Sequence, residues 1–399
     1  MSASESFQLA STAPLNHDND NDNDNDHELE FMLGAQHPQP QMAAAAAATA
    51  RGLASRAPRL HAHVHAAAGG VAPAFAHDEG PLASCAAEVE RDPRRNGGRR
   101  LVARDDLDAG ATVLVTQRAL VWYGNPSRLC AGCLGWLPLA SPAAGGTCGS
   151  AGCDVAAAAF RPWEVLCGDF GRLRAVLADG SGGGGTGREP KRRHPLMAAR
   201  LAARAMQGEV QGDAEGVAAY RALEGLTFPR RDPGDPMDVE RAEFEALKAD
   251  LAPLVATSGA GGRGLPQWFG LPWYARVVGT IALNAHRVET MLPPSAWASG
   301  MAEDAAGSAV YGLASLFNHS CVPNVAHTAW AAPGDDALAS PSVGPRLHFF
   351  ATRPVRKGEE LVIAYTDVEQ GREARREHLR FNYGFECDCP KCTADHDDA

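Results

Sequence analysis

The sequence predicts an α+β fold, with short strands separated by inserted helices and cysteine-bearing loops. Two distant stretches, "RRLVARDDLDAGATVLVTQRALVWYG" (99–124) and "RLHFFATRPVRKGEELVIAYTD" (346–367), alternate apolar and polar positions around turn residues. Between them, residues 195–255 carry apolar side chains at helical spacing, as in "HPLMAARLAARAMQ" and "VERAEFEALKADLAPLV". The regular strand–helix alternation of a parallel doubly wound sheet is missing.

In chain order, residues 1–80 read as a disordered, low-complexity tail, because "DNDNDNDND" repels itself and "AAAAAATA" buries little. The piece from Met42, "MAAAAAATARGLASRAPRL", lies in a stretch free of acids and has the composition of an organelle transit peptide. The plainer reading of this piece is a biased disordered tail, which leaves nucleus or cytoplasm as the expected compartment; an organelle is the alternative if translation starts at Met42. Order is expected from about Ala87. The first stretch then gives two strands around a turn at Asp108-Ala109-Gly110, and cysteine-bearing loops follow from Cys130 to Cys167. "DGSGGGGTGREP" (179–190) reads as a flexible linker, and 191–256 as a helical insertion. "YARVVGTIALNAHRVE" suits a buried helix ending in polar residues. The second stretch is strand, turn at Lys357-Gly358, strand, and the charged helix "GREARREHLRFNYGF" precedes the last cysteines.

Charge excludes several functions. The net charge is -11, but residues 1–50 hold eight acids and no Lys or Arg, so the other 349 residues carry only -3. A body this close to neutral lacks the basic face that phosphate neutralisation needs, and no helix of a Cys/His finger follows the cysteines. No apolar run is long enough for a membrane span. Ten cysteines without a secretory signal favour thiols and metal ligands over disulfides.

Two cysteine groups have ligand spacing. "FECDCPKC" places Cys387, Cys389 and Cys392 close enough to converge on tetrahedral Zn²⁺, with Cys321 as a candidate for the fourth thiolate. Cys130-x2-Cys133 followed by Cys148-x4-Cys153 suits a Cys₄ zinc knuckle, with Gly132, Gly149 and Gly152 permitting tight turns. Cys167, in "WEVLC", has no partner at ligand spacing and reads as core, or as a replacement for one of the four.

The stretch "LASLFNHSCVPNVAH" (313–327) sets an amide, an imidazole, a hydroxyl and a thiol side by side after an apolar run. "NHSCVPN" (318–324), "GEELVIAYTD" (358–367) and "NYGFECDCPKC" (382–392), in this order, resemble a SET-domain protein-lysine methyltransferase with a post-SET zinc cluster. The inserted cysteines followed by "WEVLC" resemble a shortened MYND finger. The closest group is thus the SET-and-MYND type, and the resemblance covers roughly 87–393. It implies a SET domain of short twisted sheets over 87–366, a MYND-like finger inserted at 128–168 and a post-SET segment at 370–393.

The resemblance also implies roles. Asn318 and His319 would hold S-adenosylmethionine, with Ser315 a neighbouring contact, Asn284 reaching the amino-acid end, and Gly98-Arg99 in the first cofactor loop. Tyr383 and Phe385 would flank the adenine and the lysine channel, Tyr365 would stand at the methyl-transfer centre, and Cys321 would complete the post-SET zinc. Two departures are visible. Arg100 stands where the family has a second loop glycine, and only four of the eight ligands of a full MYND finger can be placed. The expected partner is a monomeric enzyme's protein substrate presenting a lysine, histone or non-histone. The alternative is a SET/zinc-finger interaction scaffold of weak or no activity.

Overall fold

The computed structural model describes residues 85–92, 98–116, 119–137, 146–158, 160–179, 192–211, 220, 222–223, 225–226, 238–257, 265–290, 306–329 and 344–394. The expected N-terminal tail and nearly all of the Gly-rich linker lie outside them.

The chain starts as a hairpin. β1 (Ala87–Asp92) pairs antiparallel with β2 (Gly98–Ala103), in register from Ala87↔Ala103 to Asp92↔Gly98. A turn at Gly110, whose φ of 83° suits glycine, leads to β3 (Thr112–Val115) and then β4 (Val121–Tyr123). The expected strands around Asp108–Gly110 are thus present, but β3 pairs with a late strand and not with β2. Strand β1 has no sequence signal: "AEVERD" breaks alternation, and Val89 is 38% exposed.

Helices fill the middle. α1 (Ala151–Ala158) and α2 (Arg161–Leu166) occupy part of the stretch from Cys130 to Cys167 that the sequence suggested as loop, and α3 (Gly171–Asp179) follows it. α4 (His194–Gln211) and α5 (Asp238–Thr257) lie in the stretch read as helical from its spacing, and α6 (Leu271–Asn284) runs directly into β5 (Ala285–Glu289). Leu196 through Met206 on α4 are buried on every side, because five alanines let neighbours approach closely. Its two arginines go in with partners: Arg200 binds Glu164 and the Trp122 carbonyl and lies 4.8 Å over the Tyr123 ring, while Arg204 lies 5.3 Å over Phe160.

The C-terminal part supplies β6 (Ala306–Val310), β7 (Asn318–His319), β8 (Val325–Ala329), β9 (Leu347–Ala351) and β10 (Val362–Ile363), then α7 (Arg372–Tyr383) and α8 (Pro390–Ala394). Among the described residues the strands form four small sheets, ordered β1-β2, β3-β9-β8, β4-β6-β5 and a parallel pair β10-β7. This is the α+β arrangement expected. One apolar core lies among the helices; a second, with Leu101, Leu114, Phe317, Phe349 and Ile363, joins the sheets. Phe317 stacks on Phe349 with centroids 4.7 Å apart. Each such fully buried ring contributes roughly 1.5–3 kcal/mol, so the segment entering β7 is firmly anchored. No described helix is long and apolar enough to cross a membrane.

Candidate active site

The apolar run Leu313–Phe317 sinks into the sheet core, and the polar residues after it emerge along a foreign strand. Asn318 and His319 pair in parallel with Val362 and Ile363, and the Ser320 N–H donates to the Ile363 carbonyl at 3.0 Å. Asn324, 1% exposed, locks the crossing: its Nδ2 donates to the Glu360 carbonyl at 2.8 Å and its Oδ1 accepts Val362 N–H at 2.9 Å. A buried amide with both ends satisfied favours one arrangement over any slipped one.

This crossing delivers Tyr365. Its phenol donates to the Phe317 carbonyl at 2.5 Å, and its backbone N–H donates to His319 Nδ1 at 3.0 Å. Around it stand His319, with ring centroids 5.4 Å apart, and Tyr383 at 4.7 Å. Phe385 lies 6.0 Å from His319 and 6.5 Å from Tyr383, and remains 36% exposed. Burial pushes the Tyr383 hydroxyl up to about 12, so it stays protonated at neutral pH.

The remaining candidates fall into two groups. Asn318 Nδ2 donates to the Arg99 carbonyl at 3.1 Å and to Glu360 Oε1 at 2.9 Å, which brings the β2 backbone to the motif. Gly98 opens that strand opposite Asp92. The Arg100 guanidinium faces the other way, onto Glu90 of β1 at 2.8 Å. Asn284, the last residue of α6, donates to Thr280 O at 2.7 Å, and its own carbonyl accepts Ser315 Oγ at 3.2 Å. The short 3₁₀ turn Ala314–Leu316 joins the groups, because it carries Ser315 and feeds Asn318.

Both cysteine groups assemble. The Sγ atoms of Cys321, Cys387, Cys389 and Cys392 lie within 4.8 Å of one another, and all four residues are buried. Cys321 Sγ is 3.6 Å from Cys392 and 4.0 Å from Cys387, which brackets the edge of about 3.8 Å that a tetrahedron with 2.3 Å bonds requires. This donor set fits zinc. Burial alone would raise the Cys389 thiol, but the backbone N–H groups of Cys392 and Cys321 hold it lowered, at about 7. Arg375, 2% exposed, donates to Cys392 Sγ at 3.5 Å and to the Gln370 carbonyl at 2.5 Å.

Cys130, Cys133, Cys148 and Cys153 meet within the same span of 4.8 Å. Cys148 N–H donates to Cys130 Sγ at 3.3 Å and Gly135 N–H to Cys133 Sγ at 3.4 Å. Hydrogen bonds from Cys133 and Cys153 hold the Cys130 thiol well below its usual range, toward the state a metal ligand needs. A Cβ on Gly132 would sit 2.5 Å from Cys153 Cα, so only glycine fits. Trp122 fastens this knuckle to β4 through Nε1 on the Ala131 carbonyl at 2.8 Å. Cys167 stays apart, buried in the helical core, where burial pushes its thiol up to about 12.

Sequence reasoning missed Glu360, Arg375 and the locking role of Asn324. Asn324 had a signal, as the last residue of "NHSCVPN". The other two sit in charged stretches indistinguishable from solvated surface.

Comparison with known proteins gives the same outline. Residues 98–366, more than half of the chain, match the family model described as the SET domain. A SET and MYND domain-containing protein of Dictyostelium discoideum is 27% identical over 205 residues, 51% of this chain and 53% of that one. Histone-lysine N-methyltransferase ATXR4 of Arabidopsis thaliana is 37% identical over 127 residues, covering 30% and 35%. Protein-lysine N-trimethyltransferase SMYD5 of Mus musculus is 41% identical over 95 residues, covering 23% and 20%. The chain thus spans about half or less of the length of the curated relatives it matches.

Proposed function

From the premise that the chain belongs to the SET domain family, we propose that it is an S-adenosylmethionine-dependent protein-lysine N-methyltransferase with two structural zinc sites. One observation carries this reading. Tyr365 has its phenol aimed at a backbone carbonyl and its strand end tied to His319, with aromatic rings on its flanks.

When bound, S-adenosylmethionine supplies a methyl group on a positively charged sulfonium. Asn318 suits its binding, because the NH₂ is spent on Arg99 and Glu360 and leaves Oδ1 for a donor. Asn284 and Ser315 serve the amino-acid end. Phe385, a ring left 36% exposed beside Tyr383, offers an apolar face that an adenine would cover.

The chain's own work is on the lysine. A free lysine with pKa near 10.4 costs about 4 kcal/mol to keep neutral at pH ~7.4. Walls of Tyr365, Tyr383 and Phe385 disfavour the ammonium and lower that cost. The Tyr365 oxygen, having donated its proton to Phe317 O, keeps lone pairs that accept from the amine and orient it. Carbonyls such as that of Phe317 accept weak C–H···O contacts from a polarised methyl. Alignment of this kind removes several kcal/mol from a barrier.

The test is transfer of labelled methyl to a protein mixture. Tyr365→Phe should lose roughly a hundredfold in rate; equal labelling by both forms would remove Tyr365 from the reaction. Calorimetry with S-adenosylmethionine separates the scaffold reading, which requires no micromolar binding.

A further inference from the structure

The His319 imidazole was expected to touch cofactor, yet both of its nitrogens are engaged within the protein. The residue is 6% exposed. Nδ1 accepts the Tyr365 N–H at 3.0 Å, so this nitrogen carries no proton. In the neutral ring the proton therefore sits on Nε2, 3.3 Å from Cys321 Sγ, and is donated to that sulfur. One rigid ring spans from the backbone of the tyrosine to a member of the C-terminal cysteine cluster.

The direction of the bond to sulfur has a consequence. An anionic sulfur is a stronger acceptor than a neutral thiol, so a metal-bound Cys321 holds Nε2–H more firmly than a free one. Fixing the proton on Nε2 keeps Nδ1 an acceptor and preserves its bond to Tyr365. The cluster is cross-braced on another side by Arg375, which donates to Cys392 and to the Gln370 carbonyl. Tyr365 and Phe385 are both in tilted contact with the ring.

Resting on the methyltransferase reading, we propose that His319 is a positioning residue that ties the backbone of Tyr365 to the C-terminal metal cluster through its two ring nitrogens. The role extends beyond ligand retention: an occupied cluster holds the tyrosine's strand end in register, and an empty one releases it.

Two substitutions divide the ring into its halves. In His319→Asn a short amide can still accept from Tyr365 N–H but cannot reach Cys321. In His319→Gln a longer amide can still donate toward Cys321 but loses the acceptor at the Nδ1 position. Zinc release to a coloured chelator reads the metal arm, and hydrogen exchange at the Tyr365 amide reads the tyrosine arm. His319→Asn should speed release of zinc from the buried C-terminal cluster, the slower of two expected phases, about tenfold or more, with Tyr365 exchange within threefold of wild type. His319→Gln should do the reverse, with release within threefold, exchange about tenfold faster, and a fall in kcat that leaves KM for S-adenosylmethionine unchanged. Wild-type protein gives a check that needs no variant, since stripping its zinc should speed exchange at Tyr365. The proposal is overturned if that exchange ignores the metal, if both variants behave as wild type, or if both arms move together in both variants. Release and exchange need no turnover. A wild-type protein without methyl transfer would thus refute the activity and leave the tie under separate test.

Discussion

The two cysteine groups have the same four-thiol composition and are held by opposite means. Cys130, Cys133, Cys148 and Cys153 come from one short stretch, and the shape of their loop is set by its own backbone: Gly132 pressed on Cys153, Leu134 at φ 59°, Gly149 at φ 84°. One member, Cys148, is exposed. The C-terminal group draws Cys321 from a position 66 residues before Cys387, buries all four members, and is braced by Arg375 and His319. The first is a local clip whose loss concerns mainly its own loop. The second closes a long loop of chain, and its members lie against the tyrosine of the candidate site, since Tyr365 packs on the same cluster of buried residues. Position in the fold, more than ligand chemistry, would decide what a metal held at each group does.

The comparison breaks first, and by the largest effect, at Cys321. Cys321→Ser should cost one zinc equivalent, lower methyl transfer about a hundredfold or more, and expose the amides of α7 and α8 to exchange, because metal binding here is folding free energy. Cys148→Ser should lose the other equivalent and leave α7 protected. Metal analysis and hydrogen exchange on both variants check this; equal loss of protection would erase the distinction. Zinc release from wild-type protein sharpens the contrast without mutation. Two equivalents are expected, the first leaving at least about tenfold faster than the second, since chelators reach an exposed ligand directly. A single phase would mean that burial does not govern release.

The same contrast explains what could be read in advance. The knuckle's ligands and glycines lie side by side in the chain, so spacing alone revealed them. The C-terminal trio was equally plain, but its fourth member had to be taken from a motif far upstream, because spacing carries no information across a closed loop. Helix α4 showed its period yet not the all-round burial of Leu196 through Met206, since Arg200 and Arg204 look like surface until Glu164 and the rings of Tyr123 and Phe160 come to meet them. Strand β1 escaped because its hairpin is held by backbone register and by Glu90 facing Arg100, which calls for no apolar alternation. The Tyr365 phenol binds a main-chain carbonyl, and a main-chain partner leaves no trace in residue identity.

A smaller effect is expected from damaging the clip without touching a ligand. Gly132→Ala places a Cβ 2.5 Å from the Cys153 backbone, where neither side can yield without unseating the metal. Overpacking of this kind costs about 1–3 kcal/mol. The faster zinc phase should accelerate while the slower phase and the Tyr365 amide stay as they were. If the slower phase moved as well, the two groups would be coupled through the core, and the knuckle could no longer be regarded as local.

The smallest effect belongs to the brace on the other cluster. Arg375 reaches two acceptors at once, the Gln370 carbonyl and Cys392 Sγ, with the planar fork of its guanidinium. Burial would lower its pKa, but the sulfurs of Cys392 and Cys321 raise it above the usual value, so the cation is held in place by the cluster it supports. Arg375→Lys keeps the charge and removes the fork, and one ammonium cannot serve both acceptors at these positions. The loss should be about one net hydrogen bond, roughly 0.5–1 kcal/mol, seen as a few-fold faster release of the slower zinc with full metal content retained. An unchanged rate would assign Arg375 to packing of α7 alone. Loss of a full zinc equivalent, as expected for Cys321→Ser, would instead make the guanidinium as necessary as a ligand, and the charge balance of a buried four-thiolate site would then govern the stability of this end of the molecule.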